Sequence, residues 1–111
     1  MNATIINLTP HTVTVIADDR TICGFPSQGT ARATQRYIEA GKLAGVRIVR
    51  SVYGAPIDLP DYEEGTYYIV STPTVSSARN FGRTTADLLI PVDPIRNVNG
   101  QIIGCKALSF V

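Results

Sequence analysis

The side chains best equipped for chemistry lie between Tyr67 and Arg83, in the run YYIVSTPTVSSARNFGR. Thr72-Pro73 reads as a helix start, with Thr72 as N-cap and Pro73 in the first turn, where its missing N–H leaves nothing unpaired. Free N–H groups at such a start attract anions. Thr72, Thr74 and Ser76 add hydroxyls, and Arg79 and Arg83 add planar forks suited to phosphate or carboxylate. The pattern predicts an anion site. Arg50 or Arg96 would supply a second cation, and Tyr53 or Tyr68 a surface on which a base stacks. Arg83 and Asp87 are also spaced to pair with each other, which would give Arg83 a structural role instead.

Catalytic groups are sparse. His11 is the only imidazole, and nothing around Cys23 or Cys105 marks either thiol as activated. Two cysteines 82 residues apart and one histidine do not make a tetrahedral zinc site. No glycine-rich phosphate loop, dinucleotide fingerprint or nucleophile elbow is present. The expectation is a protein without metal or cofactor that binds rather than turns over its ligand. A small hydrolase using His11 is the enzymatic alternative.

The elements that must position these groups are mostly strands. Thr4–Leu8, His11–Ala17 and Arg20–Cys23 are β-rich runs broken by Thr9-Pro10 and Asp18-Asp19. From Thr30 to Ile38 the chain alternates, with Thr30, Arg32, Thr34 and Arg36 on one face and Ala31, Ala33 and Tyr37 on the other. Gly41 and Gly45 bracket a turn into the strand Val46–Tyr53. There a strict pleat puts Arg50 on the face of Val46, Ile48 and Val52, which calls for a bulge or an anionic partner. Residues 54–65 form an acidic loop carrying Asp58, Asp61, Glu63 and Glu64. Tyr67–Ser71 is a buried strand, on which Tyr67 and Tyr68 point to opposite faces. The helix follows over 73–81. Leu88–Ile90 is a short strand, Pro91–Pro94 a rigid extended connection, and Asn99-Gly100 a hairpin turn between Ile95–Val98 and Gln101–Phe110. Seven or eight short strands and one helix predict a single mainly β domain over residues 1–111, a small barrel- or sandwich-like antiparallel fold.

Composition narrows the partners. A chain of 111 residues with 44% hydrophobic and 17% charged residues folds rather than staying disordered, but its core is small, which favours a homo-oligomer. A net charge of +1 gives no field for nonspecific nucleic-acid binding. The positive charge is eight Arg and only two Lys, a bias toward forked recognition. No apolar run is long enough to span a membrane, and the thiols are expected to be reduced in an intracellular protein.

Asn7-Leu8-Thr9-Pro10-His11, Tyr68-Ile69-Val70-Ser71, Arg83 with Asp87-Leu88 and Pro91, then Arg96 and Asn99-Gly100-Gln101-Ile102-Ile103-Gly104-Cys105 occur in that order. In this the chain resembles a group of small accessory proteins encoded by bacteriophages and prophages; Arg32–Val46 lies outside the likeness. The resemblance implies a protein of the host bacterial cytoplasm that acts by binding, with sequestration of a nucleotide immune signal, an anti-defence sponge, as the leading expectation. An inhibitor of a host factor, or a virion or assembly component, is the alternative, with the acidic loop as its contact surface.

Overall fold

Runs rich in β-branched and aromatic residues build the strands, and Pro26, Gly45 and Gly54 stand at or just beyond the ends of three of them. The computed structural model describes residues 3–111. In chain order the elements are β1 (Thr4–Asn7), β2 (Val13–Ile16), β3 (Ile22–Phe25), β4 (Gln35–Leu43), β5 (Val46–Tyr53), β6 (Thr66–Ile69), α1 (Thr72–Asn80), β7 (Leu88–Arg96) and β8 (Ile102–Phe110). The protein is mainly β with one short helix, as its sequence indicates.

Six strands form one sheet in the order β1-β6-β7-β8-β2-β3, and β4 and β5 form a separate two-stranded ribbon. The sheet curls until its outer strands meet. Asn7 at the end of β1 bridges Ser27 just beyond β3, and the Gln28 N–H donates to the Asn7 carbonyl at 2.9 Å. Antiparallel pairs (β2/β3, β7/β8, β4/β5) mix with parallel ones (β1/β6, β6/β7, β2/β8). The β6–β7 pair is parallel because α1 carries the chain back between them, the connection that parallel neighbours require.

The core sits beneath α1. Val75 and Ala78 on the helix pack with Tyr68, Val70 and Leu88 of the sheet and with Leu8 and Ala31 of the neighbouring loops. Ile69 and Leu89 are buried on the other sheet face, toward the inside of the curl. Ser77 shares the buried side of α1, and its Oγ has no hydrogen-bond partner among the described residues. Ser77→Ala removes an unsatisfied hydroxyl and improves helix propensity, so it is expected to raise stability by about 1 kcal/mol. A higher urea midpoint is the readout; a lower one would mean that the hydroxyl is satisfied.

Three segments differ from the sequence expectation. Leu88–Arg96 is one strand, not a strand and a connection. Beyond Leu89 it pairs only with β8, and a free edge tolerates Pro91 and Pro94. Strand β4 begins at Gln35 rather than Thr30 and runs through Gly41 to Leu43, with an irregularity between Glu39 and Gly41. Arg50 is neither re-aimed nor paired: the bulge lies on β4, and the face that carries Arg50 opens to solvent. The hairpin expected at Asn99-Gly100 forms, but its connection spans residues 97–101 with Val98 exposed in the loop, and the Asn97 Oδ1 accepts from the N–H groups of Asn99 and Gln101.

Candidate functional site

Strand β6 delivers the chain to the start of α1, where Val70 is the last buried residue before Ser71 turns out to solvent. Ser71, not Thr72, is the N-cap (φ −78°, ψ 156°), which places Pro73 at the second helical position. The cap is unusual in its bonding. Ser71 Oγ lies 3.0 Å from Thr74 Oγ1, and no side chain accepts from the first-turn N–H groups. Those groups remain available to an external acceptor.

A cleft of about 290 Å³ opens at this helix start, lined by Ser71 and Pro73 together with Thr9, Thr30, Arg32 and Gln35. A second cleft, of about 370 Å³, lies toward the other end of α1 and is lined by Gln35, Arg36, Tyr53 and Phe81 among others. The two meet at Gln35. Gly54 seats β5 against the intervening segment: its N–H donates to the Thr34 carbonyl at 2.8 Å, and a Cβ there would come within 2.3 Å of Thr34 Oγ1. Among the described residues the only ion pairs are Arg47–Glu39 and Arg83–Asp87, so Arg32 and Arg36 have no carboxylate partner. A third cleft, about 410 Å³ between β2 and the β7–β8 pair, is lined by Val13, Pro91, Val92 and Ile103 and by no charged side chain. It offers nothing to an anion.

The candidate residues do not gather. Arg83 is the clearest correction. Its Nη1 and Nη2 donate to Asp87 Oδ1 and Oδ2 at 2.7 and 2.8 Å, Nη1 also to the Thr84 carbonyl at 2.6 Å, and Nε and Nη2 to the Pro60 carbonyl at 3.2 and 2.6 Å. All five N–H donors are used, and none is left for a ligand. Arg79 is exposed in the last turn of α1, about 10 Å along the axis from Thr72. There it complements the C-terminal end of the helix dipole rather than the anion-attracting start.

Thr74 is fully buried and donates to the Ala31 carbonyl at 3.3 Å, so it belongs to the core. Ser76 bonds back to the Thr72 carbonyl at 3.5 Å. Arg96 donates to the Gly100 carbonyl at 2.7 Å and closes the turn at the far end of the β7–β8 pair. Arg50 lies on the β4–β5 ribbon outside both clefts. Tyr68 is 4% exposed, so no base can stack on it; burial, reinforced by Glu63 and Asp87, pushes its phenol above the usual range. Its neighbour Tyr67 faces the other way, 5.9 Å from the Phe110 ring. Tyr53 does line a cleft, and Thr72 is exposed at the helix start.

The cations that the clefts do contain, Arg32 and Arg36, were visible in the alternation of Thr30, Arg32, Thr34 and Arg36 on one face. Nothing local said that this face would flank α1. The enzymatic alternative gains nothing from the structure. His11 is exposed, and its backbone carbonyl, not its ring, is held by Asn7. Cys105 is buried with Sγ 3.6 Å from the Thr14 carbonyl, and burial pushes its thiol up, away from the nucleophilic thiolate. Among the described residues no helix is long and apolar enough to cross a membrane. Compared with known proteins, the chain matches no family model, no curated protein and no solved structure.

Proposed function

We propose that this chain is a non-catalytic binding protein that holds a small anionic ligand of the nucleotide class in the paired clefts beside α1. The observation that carries the reading is the make-up of those clefts. Arg32 and Arg36 face them, hydroxyls and an uncapped helix start adjoin Arg32, Tyr53 offers a ring, and neither cleft is lined by a carboxylate, imidazole or thiol. Such a lining attracts negative charge and supplies no general base. The two volumes together fall within the range of about 300–1,000 Å³ common for small-molecule sites. In this reading a phosphate lies against the start of α1 with Arg32, and a base stacks on Tyr53 beside Arg36. Sequestration of a nucleotide signal in a bacterial cytoplasm, the role implied by the phage resemblance, needs this binding and no turnover.

The test is mass spectrometry of small molecules released by heating the purified protein, followed by calorimetric titration of nucleotides and ADP-ribose. Arg32→Ala and Arg36→Ala are each expected to weaken binding about 10- to 100-fold, the loss of one charge-assisted contact of about 1.5–3 kcal/mol. Melting temperature should stay near wild type because both side chains are exposed and unpaired in the free protein. Arg79→Ala should change neither. Full affinity in the Arg32 and Arg36 variants, or chemical alteration of the titrated nucleotide, would reject the reading.

A further inference from the structure

The β4–β5 ribbon stands off the curled sheet. Every residue of β4 is exposed, and the ribbon's one sizeable contact with another element is β5 against α1. A two-stranded ribbon is marginal in water unless one face is covered. The strand register assigns the faces, because directly opposed residues project to the same side. Ile38, Leu43, Val46, Ile48 and Val52 share one face with Arg36 and Arg50, whereas the other carries Gln35, Glu39, Lys42, Arg47 and Ser51 together with Tyr37, Val49 and Tyr53, with the Arg47–Glu39 pair upon it. The extra residue between Glu39 and Gly41 brings Leu43 onto the face of Ile38; without it, alternation would turn Leu43 to the polar side. One face, with five aliphatic side chains, is therefore the more apolar, and it is bare toward the tip: Ile38, Leu43 and Val46 are 47%, 68% and 60% exposed.

The whole chain carries the mark of a missing neighbour. A monomer of 12.0 kDa exposes about 6,000 Å², whereas this chain exposes 7526 Å². Its radius of gyration is 16.7 Å, against about 13 Å for an ordinary domain of this length. The excess of about 1,500 Å² per chain lies within what obligate homodimers bury, about 1,000–2,500 Å² per partner. Charge points the same way. Arg50 lies within the apolar face without a carboxylate partner, and Asp58, Asp61, Glu63 and Glu64 have no cation partner among the described residues. A second copy supplies carboxylates that Arg50 lacks within one chain.

We infer that the apolar face of β4–β5 is the surface on which a second copy of this chain docks. This face borders the second cleft, since Arg36 and Val52 belong to both, but Ile38, Leu43 and Val46 toward the tip lie outside it. Light scattering on a sizing column across the micromolar range is expected to show at least twice the 12.0 kDa chain mass. The double variant Leu43→Glu/Val46→Glu should raise the dissociation constant more than about 100-fold, because docking would bury its carboxylates unpaired. Its circular dichroism should match wild type, as both side chains are exposed in the single chain. Wild-type hydrogen exchange supplies a readout that needs no variant: dilution through dissociation should speed exchange across residues 35–53 more than elsewhere. A wild-type monomer throughout, a folded double variant that stays associated, or dissociation without faster exchange over 35–53 would each overturn the inference.

Discussion

Arg83→Ala is expected to lower stability by about 3–5 kcal/mol, the cost of leaving a buried charge without its partner. Asp87 is 0% exposed and rests wholly on the bidentate Arg83 fork, which also ties in the Pro60 carbonyl from the acidic loop. A domain of this size is held by about 5–15 kcal/mol in total, so the loss is a large fraction of it. The melting temperature should fall by more than about 12 °C, given about 4–8 °C per kcal/mol for small domains. Arg83→Lys keeps the charge but not the fork, and should fall between wild type and the alanine variant. Urea denaturation of the three proteins decides the matter. If Arg83→Ala unfolds at the wild-type midpoint, the pair has no structural weight and Arg83 becomes free to be a ligand group again. The double variant Arg83→Met/Asp87→Leu should recover much of the loss, since apolar replacement of both partners removes the orphaned charge.

Asn7→Ala is expected to lower stability by about 2–4 kcal/mol, because several buried polar groups lose their partner at once. The Asn7 side chain is fully buried and fully bonded. Its Nδ2 donates to the carbonyls of His11 and Phe25 at 2.7 and 2.8 Å, and its Oδ1 accepts from Thr9 N and Oγ1 at 2.9 and 2.6 Å. Those bonds join β1, the Thr9–His11 loop and β3 at the seam where the sheet closes. Asn7→Asp should be no better, as it sets carboxylate oxygens against two carbonyls. Amide exchange at Gln28, which donates to the Asn7 carbonyl, should accelerate before global unfolding in both variants. Unchanged protection there would mean that the seam is held by something other than Asn7. Within the Asn7–His11 motif that carries part of the phage resemblance, Asn7 is on this account a clasp of the fold, whereas Thr9 and Pro10 line the cleft at the start of α1.

Much of the local structure was legible from the chain. The turn into β8 closes because Gly100 takes the positive φ of 78° that it needs, and Pro73 lies in the first helical turn because it lacks the N–H that a helix start does not use. The N-cap was misread by one residue. Ser71 and Thr72 are both good caps by type, and only the parallel placement of β6 between β1 and β7 decides where the extended backbone ends. Arg50 was misread for a different reason. Alternation correctly put it with Val46, Ile48 and Val52, but the prediction that this face is inward presupposed a layer along the whole strand, and within one chain β5 meets only α1, leaving Ile48 and Val52 half-buried and Arg50 exposed.

The candidate site shows the same division. Residue types between Tyr67 and Arg83 established by themselves a strand, a proline-started helix and a supply of anion-binding groups, because capping, turn chemistry and pleat act over a few residues. Tertiary structure alone decided which of those groups are spent. Asp87, four positions on, and Pro60, in a distant loop, consume every donor of Arg83 but the one that the adjacent Thr84 carbonyl takes; the core takes Thr74 and Tyr68; and the helix start receives Arg32 from a strand-like segment some forty residues earlier. A guanidinium binds whatever acceptor the fold brings within about 3 Å, and that proximity is set by strand pairing across the whole chain, which no window of neighbouring residues contains.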